Sequence, residues 1–266
     1  SGDMKIVDHI ATYYVCFQTE KEPFNDPKVR KAFSLAIDRT YIVNQVTQSG
    51  QVEAGGFVPA GIYDAEGTDG DDFRTVGGDY YKPTDADYEA NCEEARKLLA
   101  EAGYENGEGF PVVEYLYNTS DAHKAVAEAL QSMWENELGV TVTLNNQEWA
   151  AFLQTRKDGD YSIARNSWIA DYNDPMSFLD MWLTGGGNND CQYSNSDYDS
   201  LIAQAKAETD TSKRMELLHQ AEDKLVGEDS VLAPIYFYTQ KYMLADGIKG
   251  VYCCPLGYFF FGYTHQ

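Results

Sequence analysis

The stretch 112–144, VVEYLYNTSDAHKAVAEALQSMWENELGVTVTL, indicates the fold class of this chain. Residues 112–117 are rich in apolar and aromatic side chains and predict a strand. Residues 121–138 have the pattern of a helix that stops at Gly139, the residue best suited to a left-handed helix cap. Residues 140–144 then alternate as a second strand. A strand, a helix and a strand in this order predict a parallel crossover, and therefore an α/β lobe.

Helices and strands continue on both sides of this unit. Asp26 followed by Pro27 predicts a capped helix start, and a second short helix is expected over 40–48. The basic side chains of the first pair of helices are expected to face water; they are Lys28, Arg30, Lys31 and Arg39. Further helices are predicted over 85–102, 148–156, 175–183, 198–208 and 212–226, and further strands over 161–166 and 231–238. Residues 54–83 are rich in Gly and Asp without a sustained period and predict a long surface excursion.

The composition is that of an acidic globular protein. The 266 residues include 20 Lys and Arg against 43 Asp and Glu, a formal net charge of −23, and 43% of the residues are apolar. This length allows one large domain or two modest ones. The acid excess repels phosphate backbones and anionic membrane surfaces, so neither nucleic-acid binding nor peripheral membrane binding is expected.

Motifs of the common catalytic and metal sites are missing from the sequence. The four histidines form no HExxH pair, and neither a phosphate-binding glycine loop nor a GxSxG nucleophile elbow occurs. The five cysteines lack CxxC spacing, so we expect mostly packing residues, with a single disulfide left open. No catalytic residue, metal ligand or cofactor is therefore predicted, although sequence spacing alone does not exclude a glycosidase-like carboxylate pair.

The stretch 165–175, RNSWIADYNDP, places a cation, an indole and an anion at the end of a predicted strand. α/β proteins bind ligands at strand ends. The guanidinium of Arg165 suits a carboxylate and the carboxylate of Asp171 suits an ammonium, and these are the two charged ends of a peptide. A surface ion pair between Arg165 and Asp171, beside a core Trp168, accounts for the same residues without a ligand.

Four separated stretches share their pattern with a known family. They are PFNDPKVRKA at 23–32, YNTSDAHK at 117–124, the segment 146–156 that begins NQEW, and 165–174. Together they resemble the oligopeptide-binding proteins of ATP-binding-cassette (ABC) importers, the extracellular solute-binding proteins of family 5. The first stretch is common to the superfamily, whereas the other three in this order point to the oligopeptide branch. The resemblance implies the second large lobe of a type II periplasmic-binding-protein-like fold, with a mixed sheet and helices packed on it.

The resemblance also implies roles for particular residues. Asp171 matches the acidic anchor of the peptide amino group. The residues that match carboxylate ligands, for peptides of different length, are Arg165, His123 and Arg156. The residues expected to line side-chain pockets are Trp149, Trp168, Tyr172 and Asn173. His123 and Arg156 also suit helix ends without any ligand, and Trp149 suits a core position.

By the same resemblance, residues 1–245 form the peptide-binding lobe, and residues 246–266 return to a first lobe of the same protein. The aromatic residues near the end of the chain then either lie exposed or dock on this lobe as a strand. The implied protein is an extracytoplasmic, periplasmic or lipid-anchored receptor that captures oligopeptides and delivers them to a membrane permease without catalysis. The alternatives are a receptor of the same fold for dipeptides, nickel, haem or sugars, and a hydrolase.

Overall fold

Eight strands organise the part of the chain that the structure, a computed structural model, describes, namely residues 3–81 and 85–265. The strands are β1 (Asp3–Phe17), β2 (Val52–Glu53), β3 (Val113–Asn118), β4 (Val142–Gln147), β5 (Ile163–Ile169), β6 (Leu232–Leu244), β7 (Tyr252–Cys253) and β8 (Phe259–Phe260). Six of them form one mixed sheet in the order β2-β6-β1-β5-β3-β4, whereas β7 and β8 form a separate hairpin.

Nine α-helices occur in the same ranges. They are α1 (Pro27–Leu35), α2 (Arg39–Tyr41), α3 (Phe73–Gly77), α4 (Asp85–Glu101), α5 (Asp121–Leu138), α6 (Trp149–Lys157), α7 (Met176–Leu179), α8 (Ser196–Ala207) and α9 (Thr211–Glu222). Tighter or wider turns occur at Ile42–Thr47, Gly67–Asp69, Glu105–Gly107, Asp180–Trp182 and Asp223–Glu228. Across the described residues, no helix combines the length and the apolar character that a membrane span requires.

The predicted crossover is present as β3, α5 and β4. Strand β3 lies parallel to β4, with Val113 opposite Val142, and also parallel to β5. Helix α5 ends at Gly139, whose φ of 69° is the left-handed conformation that favours glycine. Strand β1 runs antiparallel to β5 on one side and to β6 on the other. The α/β class and the mixed sheet are therefore confirmed.

Side chains from β1 enter the core on both faces of the sheet, because successive side chains of a strand point in opposite directions. On one face Phe17 packs against Phe24 and Phe33 beside α1. On the other face Tyr14 packs edge-on against Phe57 and Trp182. Layers of helix and loop thus cover both faces of the sheet.

The prediction of a surface excursion over 54–83 is wrong for 54–59 and for parts of 62–74, whereas 65–72 and 75–79 are partly or fully exposed as predicted; residues 82 and 83 lie outside the described ranges. Several of its apolar side chains are fully buried, among them Phe57 and Phe73. The fully buried carboxylate of Glu222 accepts hydrogen bonds from the backbone N–H groups of Phe57 and Val58, both at 2.8 Å, and from Arg74 Nη1 at 2.8 Å. A carboxylate distant in sequence satisfies this backbone, so no local periodicity marks the segment as buried.

The expectation that the basic side chains of α1 and α2 face water is wrong for Arg30 and Arg39, which are 5% and 3% exposed. Arg30 Nη2 donates to the carbonyl of Asp229 at 2.6 Å, and Arg39 Nε donates to the carbonyl of Pro234 at 2.8 Å. Burial lowers the pKa of Arg39 to about 10. Both acceptors come from the far end of the chain, so helical spacing could not reveal them.

Candidate functional site

The candidate site lies where three parallel strands end. Strands β3, β4 and β5 finish at Asn118, Gln147 and Ile169. Because the carboxyl ends of parallel strands meet at one edge of a sheet, the segments that follow them are neighbours, and this edge is where α/β proteins bind ligands. Trp149 and Asp171 each follow one of these strands by two residues.

Arg165 lies on β5 and is only 6% exposed. Its Nη1 donates to Asn118 Oδ1 at 3.3 Å and its Nη2 to Ser167 Oγ at 3.1 Å, while the guanidinium carbon stands 5.2 Å from the centroid of the Tyr13 ring. Its Nε is buried and has no hydrogen-bond partner among the described residues. No carboxylate of those residues forms an ion pair with Arg165. Neutral groups therefore hold a buried cation in place.

His123 belongs to the same cluster as Arg165. It lies in the first turn of α5, with its ring centroid 5.7 Å from that of Tyr13. Partial burial, together with the nearby charge of Arg165, lowers the pKa of His123 to about 4. At neutral pH the imidazole is uncharged. The structure thus brings together two of the three predicted carboxylate ligands and leaves Arg165 as the charged one.

Arg156, the third predicted carboxylate ligand, has a counter-ion within the protein. Its Nε donates to Asp190 Oδ2 at 2.7 Å, and its Nη1 reaches only the backbone carbonyl of Arg165, at 3.3 Å. Asp190 Oδ2 also accepts from Asn166 Nδ2 at 3.4 Å. Asn166 and Arg165 are adjacent on β5, so their side chains point to opposite faces of the sheet. The guanidinium of Arg156 is therefore tied to Asp190 and to the backbone of β5, and among the described residues it shares no side-chain hydrogen-bond partner with Arg165.

Asp171 follows β5 and is exposed. Its backbone N–H donates to Ser177 Oγ at 2.9 Å, and Trp168 Nε1 donates to the carbonyl of the same serine at 2.7 Å. Ser177 lies in α7, so this short helix fixes both the turn and the partly buried indole. The side chain of Asp171 forms no ion pair with any described residue, and the alternative Arg165–Asp171 pair is not formed.

Other carboxylates surround Asp171, but they are paired. Asp174 receives both terminal nitrogens of Arg214 at 2.8 Å, and Asp180 lies 3.5 Å from Lys206 Nζ. Partial burial raises the pKa of the Tyr172 hydroxyl, and the three neighbouring carboxylates raise it further. The corner therefore has a negative electrostatic potential. Among the carboxylates of this corner within the described ranges, Asp171 alone has no cationic partner.

The predicted pocket residues differ in how far they reach solvent. Trp149 and Tyr172 are 54% and 47% exposed, and Trp149 stacks on Phe152 with ring centroids 5.9 Å apart. The amide of Asn173, in contrast, accepts from the backbone N–H of Tyr63 at 2.8 Å and donates to the carbonyl of Gly61 at 2.9 Å. Asn173 thus ties the loop around residue 62 to the Asp171 corner.

Comparison with known proteins identifies the family. Residues 3–190 match the model of the bacterial extracellular solute-binding proteins, family 5, middle region. This chain belongs to the family-5 solute-binding proteins. The predicted resemblance is therefore confirmed.

Individual relatives agree with this family-5 assignment. The dipeptide-binding protein DppE of Bacillus subtilis is 38% identical over 258 residues, which are 96% of this chain and 45% of DppE. The periplasmic oligopeptide-binding protein OppA of Salmonella typhimurium is 39% identical over 249 residues, 94% of this chain and 44% of OppA. The crystal structure of Haemophilus influenzae OppA in complex with RPPGFSPFR superimposes with a TM-score of 0.81 at 31% identity, covering 94% of this chain and 47% of that one. The chain spans less than half the length of these relatives.

Several residues that shape the candidate site were not found from the sequence. Tyr13, Asn118 and Ser167 hold the guanidinium of Arg165, and Ser177 and Arg214 hold the Asp171 corner. Ser167 lies two residues after Arg165, so the alternation of a strand could have placed both side chains on one face. The others come from separate elements, and no local signal connects them. In the described part of the chain, no three His, Cys, Asp or Glu side chains are grouped so as to hold a metal ion.

Proposed function

We propose that this chain is the peptide-holding lobe of an extracytoplasmic oligopeptide receptor, the substrate-binding component of an ABC importer. The observation that carries the proposal is Arg165, a buried cation whose guanidinium forms no ion pair with a carboxylate and no hydrogen bond with a backbone carbonyl among the described residues, in a chain with 43 acidic residues. Burying an unpaired charge is costly unless an anion completes the site. The names of the related OppA proteins, and the peptide bound to one of them, support a peptide carboxylate as that anion.

The spacing of the two unpaired charges along the chain sets an upper limit on their separation, and a short extended peptide fits within that limit. Arg165 and Asp171 are six residues apart on a segment that is extended up to Ile169. At a rise of about 3.3 Å per residue, their Cα atoms lie at most roughly 20 Å apart. An extended peptide of about five residues reaches roughly 17 Å. We therefore assign the peptide carboxylate to Arg165 with His123 beside it, and the peptide amino group to Asp171.

The remaining predicted residues complete this proposal. Arg156 binds the carboxylate of a peptide of different length, and its ion pair with Asp190 breaks when it does so. The exposed rings of Trp149 and Tyr172 line side-chain pockets together with Trp168. Asn173 contributes to these pockets by holding the loop around residue 62 in place. Main-chain hydrogen bonds and charged ends recognise any peptide, so this arrangement tolerates many sequences.

We propose further that the receptor consists of two lobes. The chain spans less than half the length of its relatives, and residues 1–245 form one lobe of the complete protein. Residues 246–266 contact the other lobe; exposed aromatic side chains in this segment, such as Tyr258 and Phe261, support that assignment. Closure of the two lobes around a peptide then presents it to a membrane permease, and no bond is made or broken.

A dipeptide receptor is the second candidate, since DppE carries the name of a dipeptide-binding protein. An extended dipeptide spans only about 7 Å. It cannot connect Asp171 to Arg165 if their distance approaches the upper limit given above. The length of peptide that binds best therefore discriminates between the two receptors.

The amino-group assignment is tested by Asp171→Asn in the full-length receptor. The substitution removes the charge but keeps the shape of the side chain. Loss of a desolvated ion pair costs about 2–4 kcal/mol, so we expect affinity for a free-amino tetrapeptide to fall roughly 30- to 1000-fold. Affinity for the N-acetylated peptide, already weak, is expected to change little. Titration calorimetry measures all four combinations.

Asp180→Asn is the matched control, because Asp180 lies in the same acidic corner but is paired with Lys206. It is expected to leave both affinities nearly unchanged. Equal losses for the free and the acetylated peptide in Asp171→Asn would contradict the assignment of the amino-group anchor.

A further inference from the structure

Two buried free cysteines that take no part in the candidate site lie in the same small region of the core. Cys16 is in β1 and Cys191 is in the loop before α8, and both are fully buried. Burial, and after it the neighbouring thiol of Cys16, raises the pKa of the Cys191 thiol. The loop is also fixed by its backbone, because Thr19 donates to the carbonyl of Cys191 through its N–H at 3.0 Å and its hydroxyl at 2.9 Å.

A separate set of contacts fixes the position of each sulfur atom. The N–H of Phe17, next to Cys16, and the Cys191 thiol approach the same carbonyl oxygen, that of Val231, at 3.5 and 3.6 Å. Asn166 Nδ2 lies 3.5 Å from Cys16 Sγ and 3.4 Å from Oδ2 of Asp190, the residue before Cys191. Both cysteines are therefore held at one point between β1 and the loop.

We propose that Cys16 and Cys191 are a disulfide-forming pair that joins β1 to the loop before α8 when the chain folds in oxidising surroundings. The oxidant is the disulfide of a thiol–disulfide exchange partner. One cysteine thiolate attacks that disulfide to give a mixed disulfide, and the second thiolate displaces the partner's sulfur. Two electrons pass to the partner, which leaves as a dithiol carrying the two protons.

The bond forms during folding rather than afterwards. In the folded chain neither sulfur reaches solvent, and burial raises the pKa of the Cys191 thiol well above its ordinary value. A buried, protonated thiol reacts slowly. For the same reason the completed bond resists reduction until the chain unfolds. The bond also fixes Asp190, the partner of Arg156, against the sheet.

The test refolds the 266-residue chain in a glutathione buffer that is either oxidising or reducing, and then alkylates free thiols in denaturant. Intact mass is expected to show three alkylated cysteines after oxidising refolding and five after reducing refolding. Proteolysis should yield one peptide pair joined through Cys16 and Cys191. A cross-link over this long segment is expected to raise the melting temperature by roughly 5–10 °C.

Two variants separate this pair from the other cysteines. The triple variant C92A/C253A/C254A should lose every reactive thiol on oxidising refolding, whereas Cys191→Ala should keep all four of its thiols. A bridge that includes Cys92, Cys253 or Cys254, or five alkylated cysteines after oxidising refolding, would overturn the proposal. Peptide affinity does not enter the readout, so this result is independent of the proposed function.

Discussion

The environment of Arg165 favours an anion that the described part of the chain does not supply. Of the other largely buried arginines, Arg74 and Arg156 each have a carboxylate at 2.7–2.8 Å, and Arg30 and Arg39 each donate to backbone carbonyls. Arg165 has neither kind of acceptor among the described residues, and is held by an amide, a hydroxyl and an aromatic ring. Tyr13 does not act as a counter-ion, because burial raises the pKa of its hydroxyl to about 12, even though Arg165 opposes that rise. An incoming carboxylate would therefore be bound by a cation that has lost its water and has no competing counter-ion.

His123 makes the stability of the chain depend on pH. Its pKa of about 4 in the folded state lies below the ordinary value, so the unfolded chain binds the proton more tightly. The stability that neutral His123 contributes is complete above about pH 6.5 and is lost as the pH falls towards 4. In His123→Gln, the drop in the free energy of unfolding between pH 7 and pH 5 should be smaller by about 1 kcal/mol, because the partly exposed ring is screened.

Urea unfolding at the two pH values measures this difference. His265→Gln is the control, since His265 is exposed near the end of the chain, and this variant should keep the pH dependence of the original. An NMR titration adds a direct readout: one imidazole, absent from His123→Gln, should titrate near pH 4. A pH dependence that is the same in His123→Gln as in the unsubstituted chain would contradict the assignment.

At the scale of elements, sequence patterns predicted those helices and strands that are stabilised by interactions between residues close in sequence. Helix α1 begins at Pro27 after the side chain of Asp26 caps Lys28 N at 2.8 Å, and the crossover from β3 to β4 follows from its own strand and helix periods. The two charged residues of the candidate site, Arg165 and Asp171, could also be predicted from the sequence, because they lie in one stretch of eleven residues. Tyr13 could not, because only the pairing of β1 with β5 brings its ring under the guanidinium.

The buried part of the segment 54–81 shows the opposite case, in which a single distant side chain decides burial. Glu222, from α9, satisfies two backbone N–H groups and one guanidinium, with no exposed surface. Glu222→Gln keeps the size of the side chain but removes the charge opposite Arg74. Breaking a buried ion pair from one side costs about 3–5 kcal/mol, and we expect a loss of that order in the free energy of unfolding.

The matched control is Glu228→Gln. Glu228 also lies 2.8 Å from a cation, Lys224 Nζ, but it is 64% exposed. Exposed pairs contribute at most about 1 kcal/mol, so this variant should unfold almost as the original does in urea. Equal losses in the two variants would show that burial does not set the contribution of the Arg74–Glu222 pair.

At the scale of the whole molecule, apolar surface is concentrated at one end of the sheet. The outer parts of β1 and β6 expose Met4 and Met243, and the C-terminal segment adds Tyr258, Phe261 and Tyr263. Apolar surface of this extent usually marks an interface. Sequence patterns could not decide between an exposed and a docked tail. The structure shows a hairpin joined to β1 through the N–H of Ile10, which donates to the carbonyl of Pro255 at 2.9 Å, while its aromatic rings remain exposed.

The proposed division of the binding site between two lobes leads to the last prediction. Asp171, Trp149 and Tyr172 are exposed in this chain, so a peptide lying on them keeps one side in water. Exposed charge pairs and half-covered side chains contribute little, and most of the affinity of a receptor comes from complete desolvation on a preorganised surface. The 266-residue chain should therefore fold cooperatively, which thermal unfolding monitors, yet bind a tetrapeptide at least about 100-fold more weakly than the full-length receptor in titration calorimetry. Micromolar binding of tri- to pentapeptides by this chain alone would mean that the site needs no second wall, and the two-lobe proposal would then fail while the assignments of Arg165 and Asp171 could stand.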